Sequence, residues 1–289
     1  MPELPEVETV RRGLGLLIVG KRVLRTSYDT PKSFPNGAAD VAQFLHGAVV
    51  LGIRRRAKVL LIDLSSEYTL VIHLKMTGQL VFRGEEVFGA GHPNDSLIGE
   101  LPDKSTRLTI TFDDDSRLFF NDQRKFGWVK LYPTVAVPNI DFMKRVGPEP
   151  LEDSLTALGF IERMRRRNGT TVKAALLDQT VIAGIGNIYA DEALWGAYIH
   201  PATRVRDITD DRLVTLLSEI RHVLTLSIEK GGSTDKNYVN AEGKRGSYID
   251  FARVFRREGL PCLRHPEVLI EKSRVAGRGT HTCPVCQVQ

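Results

Sequence analysis

The sequence has 289 residues, roughly twice the usual size of one domain, so two domains are expected. It is 42% hydrophobic and 26% charged, which suits a globular chain with a sizeable core, and no run of about 18 apolar residues offers a membrane span. The formal net charge is +5, which suits a polyanionic partner. The start, MPELPEVETVRR, has no apolar stretch of the kind a secretory signal needs. All three cysteines fall after residue 260, which excludes a disulfide framework and suits a reducing compartment.

The first segment reads as a helix. Pro5 suits the first helical position, Glu6 and Glu8 sit in the first turn, and Val7, Val10, Leu14 and Leu17 recur at helical spacing. Strand signals follow over 49–54 and 59–64, flanking a basic turn, and over 69–74. Residues 108–112 and 117–121 flank Asp113-Asp114-Asp115-Ser116, a hairpin signal. Residues 84–104 carry four glycines and two prolines and read as a long loop. Four prolines between 133 and 150 mark a linker. Helices dominate next. Ser154 is placed to cap one running through Met164, and Asp210 and Asp211 open another with Leu213, Leu217, Ile220 and Leu224 on one face. Gly231-Gly232 stops that helix.

Several groups carry chemistry. Met1 precedes Pro2, and removal of Met1 would leave a secondary amine, which attacks an aldehyde-level carbon to give an iminium cation directly. An α-amino group has a reference pKa near 7.7–8.0, and the positive end of a helix starting at Pro5 would lower it further. Glu3 is adjacent and could move a proton. Taken alone, these residues are accounted for by an ordinary acidic helix start. Gly184-Ile185-Gly186-Asn187 precedes a helix; Tyr189 stands where a dinucleotide fingerprint needs glycine, but a glycine turn into a helix start is still an anion site. Cys262-x2-His265 and Cys283-x2-Cys286, 17 residues apart, have the paired spacing of a Cys3His zinc site.

The chain resembles the bacterial formamidopyrimidine-DNA glycosylase family. The resemblance is carried by MPELPEVETVRRGL at the start and by RRRAKVLL (54–61), HLKMTGQL (73–80) and NDQRKFGW (121–128). It continues through VGPEPL (146–151), LLDQTVIAGIGNIYADEALW (176–195), GGST (231–234), YVNAEGK (238–244) and GRGTHTCPVCQ (277–287), in family order along nearly the whole chain. It implies an α+β fold: an N-terminal helix plus β-sandwich domain, then a C-terminal helical domain with a helix–two-turn–helix and a zinc-finger β-hairpin. The expected boundaries are a catalytic domain over 1–133, a linker over 134–150, a DNA-binding helical domain over 151–250 and the finger over 251–289.

The implied activity is that of a bifunctional DNA glycosylase and abasic-site lyase. It would excise oxidised purines from double-stranded DNA opposite cytosine, as a monomer in the cytoplasm. Pro2 is the implied nucleophile, Glu3 the acid, Lys58 the lysine assisting β-elimination and Arg278 the arginine aiding the second elimination. His73 falls on a phosphate contact. Met76, Arg124 and Phe126 fall on the groups that fill the gap left by an extruded base, and Lys125 stands where the family more often has Arg. Asn187 falls on a phosphate contact, as does either Arg167 or Lys173. Ser105 stands where many members have a DNA-contacting His, and that role is not carried over. Cys262, His265, Cys283 and Cys286 would hold one structural zinc ion, and the chemistry itself would need no cofactor. The segment from Gly231 to Gly246 resembles the loop that closes over 8-oxoguanine. Two rival readings are an endonuclease VIII-like enzyme for oxidised pyrimidines and a non-catalytic lesion-binding protein.

Overall fold

The computed structural model describes residues 2–92, 94–233 and 248–288. The chain forms two compact units, Met1–Lys144 with Lys230–Ser247, and Arg145–Glu229 with Tyr248–Gln289. Among the described residues no helix is long and apolar enough to cross a membrane.

The first unit begins with helix α1 (Leu4–Ile18). Two antiparallel sheets follow. One has the order β1 (Val23–Tyr28), β7 (Thr106–Phe112), β8 (Arg117–Asp122), β5 (Gly78–Arg83), β6 (Val87–Gly91). The other has the order β2 (Val50–Arg56), β3 (Val59–Leu64), β4 (Tyr68–His73), β9 (Trp128–Pro133). Short helices α2 (Ala38–Asp40) and α3 (Asp141–Arg145) lie between strands and at the unit's end. The period-2 alternation of strands sorts the side chains. Leu60, Ile62 and Leu64 of β3 share one core with Leu80 and Phe82 of β5, Phe120 of β8, and Val10 and Leu14 of α1. The two sheets are thus the layers of a sandwich, with α1 packed against strands of both.

The opposite faces are also apolar, and irregular segments cover them. Val59, Leu61 and Val71 pack with Val137, Ile140, Phe142 and Met143, so the proline-bearing stretch read as a linker covers a sheet as far as Met143. Val81 and Phe119 pack with Leu97 and Leu101 on the other sheet. The segment read as a long loop therefore contains an edge strand, β6, and a covering flap. The glycines that made it look like a loop, Gly89 and Gly91, lie within that strand.

The second unit holds α4 (Ala157–Arg165), α5 (Val172–Leu177), α6 (Asn187–Gly196), α7 (Asp210–Glu229), the short α8 (Tyr248–Phe251) and the hairpin β10 (Glu271–Val275)–β11 (Arg278–Thr282). Thr156, not Ser154, caps α4, accepting a hydrogen bond from Gly159 N at 3.1 Å. Helix α6 is buried from Tyr189 through Gly196, and α7 buries Leu213, Leu216, Leu217, Ile220, Val223 and Leu224. Acidic residues at the start of α7 face its positive end.

Two glycines of α1 separate helix propensity from packing. A Cβ on Gly13 would meet the buried Phe88 ring at 2.2 Å, whereas one on Gly15 meets nothing within 4 Å. Gly15→Ala should stabilise the protein by about 0.5–1 kcal/mol through the helix term alone. Gly13→Ala should destabilise it by about 1–3 kcal/mol, because overpacking outweighs that gain. Urea midpoints of the two variants check the opposite signs.

Candidate active site

Helix α1 starts with three buried carboxylates. Glu3 is the N-cap, 2% exposed, and its N–H donates to Glu6 Oε2 at 2.8 Å. Pro5 therefore falls one position later than the sequence suggests. Glu6 Oε1 accepts from both the N–H and the hydroxyl of Ser233 at 2.8 Å. Gly232 has φ of +89°, and a Cβ there would come within 3.3 Å of Glu6, so this approach needs glycine. Residues 234–247, where the base-closing loop is expected, lie outside the described residues.

Glu8 is the third carboxylate, and it accepts from Arg11, Arg12 and Arg55. Burial acts to raise its pKa, but the guanidinium groups outweigh burial and hold it below the usual carboxylate value. Arg55 does two things. Its Nε reaches Glu8 at 3.2 Å, and its Nη1 donates to Ala57 O at 3.0 Å. Ala57 has φ of +52° in the tight β2–β3 turn, and Lys58 follows it, 7% exposed. One arginine therefore ties the beginning of α1 to the turn that carries Lys58. Pro2 is buried at this same end of α1.

His73 closes β4. It packs edge-on to Trp128 and Phe142, with ring centroids 5.9 and 5.7 Å away. Its Nδ1 accepts from Lys75 N at 3.1 Å. Burial, with the nearby charges of Lys75 and Lys58, lowers its pKa to about 3. The ring is neutral near pH 7, and with Nδ1 as acceptor the proton sits on Nε2. Met76 is half-buried in the next turn. Arg124, Lys125 and Phe126 are exposed, and Phe126 is 48% exposed despite being a large apolar ring. The Arg124 guanidinium carbon lies 4.8 Å from its centroid. Ser105 is 3% exposed and bonded to Asp103 and Ser96, so it is a loop tie here.

In the second unit Asn187 opens α6, with Gly186 as N-cap. Its Nδ2 donates to Gly279 O at 3.0 Å, and its Oδ1 is buried with no partner among the described residues. Lys173 corrects the sequence reading, which offered it for a phosphate. It is 0% exposed, pairs with the equally buried Asp191 at 2.6 Å, and donates to Gly279 O and Thr280 Oγ. That position keeps it from surface phosphate. Arg167 is exposed and pairs with Asp178 at 2.5 Å. Arg278 is exposed at the first position of β11, after the two-residue turn Ala276–Gly277.

Sequence reasoning missed Asp191 and Glu192. Asp191 Oδ2 accepts from His281 N at 3.0 Å, so the Lys173–Asp191 pair docks the hairpin on α5 and α6. Glu192 accepts from the backbone N–H groups of Arg253, Val254 and Phe255 at 2.8–2.9 Å and from the Tyr248 hydroxyl, while burial raises its pKa. The available signal was a pair of adjacent acids in a helix with too few polar residues to have a solvent face.

Cys262, His265, Cys283 and Cys286 converge, with their ligand atoms all within 4.8 Å of one another. Cys262 Sγ lies 3.7 Å from Cys286 Sγ, and His265 Nδ1 lies 3.2 Å from Cys286 Sγ. A tetrahedral ion with bonds of about 2.3 Å to sulfur spaces its sulfurs by about 3.8 Å, so the donor set fits such an ion. Burial works against the Cys262 thiolate, yet the N–H groups of Arg264 and His265 lower its pKa to about 6. Cys286 is pushed up to about 12 by burial and by the neighbouring sulfurs. Arg264, between two ligands, stacks 3.7 Å from the ring centroids of both Trp195 and Tyr198 and donates to Trp195 O and Gly196 O at the end of α6.

Comparison with known proteins follows the same division. The formamidopyrimidine-DNA glycosylase N-terminal domain matches residues 1–129, and the H2TH domain of that glycosylase matches residues 146–238. Among curated relatives, formamidopyrimidine-DNA glycosylase of Pediococcus pentosaceus is 43% identical over 100% of this chain and 99% of its own length. The Chloroflexus aurantiacus protein of the same name is 40% identical over 100% of this chain and 98% of its own. Two solved structures of the Lactococcus lactis enzyme are 34% identical. A variant bound to Fapy-dG-containing DNA has a TM-score of 0.88 and covers 100% of both chains. A complex with abasic-site DNA has a TM-score of 0.87 and covers 99% of this chain and 100% of that one. MutM in complex with carbocyclic 8-oxo-G-containing DNA, also 34% identical, has a TM-score of 0.86 and covers 100% of both. With both domains matched in order and relatives aligned from end to end, the chain belongs to the formamidopyrimidine-DNA glycosylase family.

Proposed function

We propose that the chain is a bifunctional glycosylase and abasic-site lyase that removes oxidised purines, 8-oxoguanine and formamidopyrimidines, from duplex DNA opposite cytosine. It acts as a monomer in the cytoplasm. The observation that carries this reading is the Arg55 clamp, which brings the Pro2–Glu3 end of α1 and the Lys58 turn under one side chain. A protein that only bound DNA would not need buried acids at the start of α1 bonded to the arginine that steadies the turn carrying a buried lysine.

In this reading the damaged nucleotide is rotated out of the stack. With Met1 removed, the Pro2 nitrogen bonds to C1′ of the deoxyribose, the bond from C1′ to the base breaks, and the base leaves with the proton that the Pro2 nitrogen gives up. Glu3 supplies the proton taken up by the ring oxygen as the sugar opens. The product is an iminium cation, which acidifies the C2′ proton. Loss of that proton breaks the strand on the 3′ side, and a second elimination breaks it on the 5′ side. Lys58 and Arg278 hold the phosphates that leave. His73 offers a neutral Nε2–H to a phosphate, with Asn187 and Arg167 as further contacts. Met76, Arg124 and Phe126 refill the vacated layer, Lys125 adds charge beside them, and the guanidinium donors of Arg124 face the acceptors of the orphaned cytosine.

Cys262, His265, Cys283 and Cys286 would hold one zinc ion, and its contribution is structural. The apolar cluster around them is small, with Trp195, Val254 and Ile270 as its remaining fully buried members, so the ion would order the hairpin that carries Arg278.

Two outcomes test this reading, and a third checks the neutral state of His73. Borohydride should trap a covalent adduct between the N-terminal peptide and an 8-oxoguanine duplex. Pro2→Gly should lose most activity, and a retained N-terminal extension should abolish strand cleavage; full cleavage by an extended protein would refute the assignment.

Elemental analysis of protein purified without chelator should find one zinc per chain. His265→Ala should lose the metal and weaken DNA binding, and His265→Cys should keep both. Metal-free protein that cleaves lesion DNA normally would remove zinc from the account.

The third outcome concerns pH. His73 has a folded pKa of about 3, below the reference value of 6.5, so the unfolded chain takes up a proton that the folded one refuses. This group therefore withdraws stability as pH falls below 6.5, by about 1.4 kcal/mol per pH unit until pH approaches 3. His73→Gln should flatten the loss of stability between pH 6 and pH 4, as read from urea midpoints.

A further inference from the structure

Two loops supply the groups that fill the vacated base layer. One carries Met76 after β4, and the other carries Arg124 and Phe126 after β8. Between them sits the carboxylate of Asp122, 1% exposed. Asp122 Oδ1 accepts from the hydroxyl of Thr77, the residue after Met76, and from Arg124 N at 3.2 Å. Asp122 Oδ2 accepts from Gly127 N at 2.7 Å. The Thr77 hydroxyl oxygen accepts in turn from Arg124 N at 3.1 Å. The donors at 124 and 127 bracket Lys125 and Phe126, so one buried carboxylate fixes both ends of the Phe126 turn and the residue beside Met76.

The carboxylate is itself held firmly. Asp122 N donates to Ser105 O at 2.8 Å, and Asp122 O accepts from Arg107 Nε at 2.8 Å. Arg107 is anchored by Asp29. At the far end of the turn, a Cβ on Gly127 would meet Phe120 at 2.8 Å and His73 O at 3.0 Å, which presses the backbone against the sheet. Lys125 has φ of +56°, a conformation this bonding has to maintain against its steric cost.

We propose that Asp122 is a positioning residue, acting through Thr77, that makes Met76 and the Arg124–Phe126 loop one mechanical unit. The proposal rests on the glycosylase reading above. Wedging a duplex needs side chains from both loops in the same layer at the same moment. Independent loops would each have to be ordered on binding, whereas loops bonded to a common carboxylate are ordered during folding. Hydrogen bonds to a buried anion are among the stronger ones, which suits this task.

The test is a double-mutant cycle. Binding to a duplex with a tetrahydrofuran abasic analogue opposite cytosine, and to the undamaged duplex, is measured for Met76→Ala, Phe126→Ala and their combination. The set is then repeated in a Thr77→Val background, which keeps the shape of the side chain and removes the hydroxyl. In the parent protein the combined loss of lesion affinity should be smaller than the product of the single losses. In the Thr77→Val background the losses should multiply independently. Thr77→Val should itself lower lesion preference about tenfold, with undamaged-duplex affinity within twofold of the parent. Thr77→Ser should restore both preference and coupling. Asp122→Asn should lose more than Thr77→Val, because an amide N–H would face a backbone N–H; if it does not fold, the threonine series still decides. Independent losses in the parent, or unchanged coupling in Thr77→Val, overturn the proposal. A parent protein with no preference for the abasic duplex would instead overturn the glycosylase reading itself.

Discussion

A carboxylate taken out of water must be paired or hydrogen-bonded, or it costs several kcal/mol. Helix α1 buries Glu3, Glu6 and Glu8 within its first turn and a half, and the first unit is arranged around meeting that demand. Glu6 gathers a backbone N–H from its own helix and two donors from Ser233, which follows a pair of left-handed glycines far along the chain. Glu8 gathers Arg55 from the neighbouring sheet, and Arg55 steadies the turn that presents Lys58. The groups with chemical potential are therefore placed by the same bonds that make the helix start tolerable. The burial of these carboxylates and their positioning have one source.

The second unit solves a related problem with a cation. Lys173 is buried completely, and Asp191, Thr280 and Gly279 O satisfy it. Because those partners come from α6 and from β11, the pair fastens a hairpin that has little apolar surface of its own. Glu192 does the same for the backbone leading into the finger. Arg264 links the ligand-bearing turn to the end of α6 through stacking and two carbonyl bonds. Removing one member of such a buried pair leaves the other charge uncompensated, so Lys173 and Asp191 stand or fall together.

Much of this was legible in the sequence because the signals are local. The periodicity of α1, the Cys262-x2-His265 and Cys283-x2-Cys286 spacing, and the glycine turn into α6 all fall within short windows, and the structure follows them. Phe126 stands between basic residues and glycine, a setting that suits a ring kept out of the core, and it is exposed. What was not legible depends on distant partners. Lys173 follows the arginine run at 165–167 by a few positions and looks like a surface cation until Thr280, over a hundred positions away, is known to face it. Asp122 looks like the start of a basic loop, and its bonding to Thr77 appears only once β5 and β8 pair. The glycines of β6 signal a loop because strand propensity cannot register that a flap will cover that sheet.

The chain holds two tryptophans, and the fold assigns one to each unit. Trp128 lies against the neutral His73 ring with Lys130 over its face. Trp195 is buried beneath the Arg264 guanidinium and belongs to the same apolar cluster as the converging sulfurs. Their indoles occupy environments of different polarity and different quenching chemistry. Intrinsic fluorescence is therefore a two-channel optical signal: a single Trp→Phe replacement silences one channel, and the remaining emission follows the unfolding of one half of the molecule by itself.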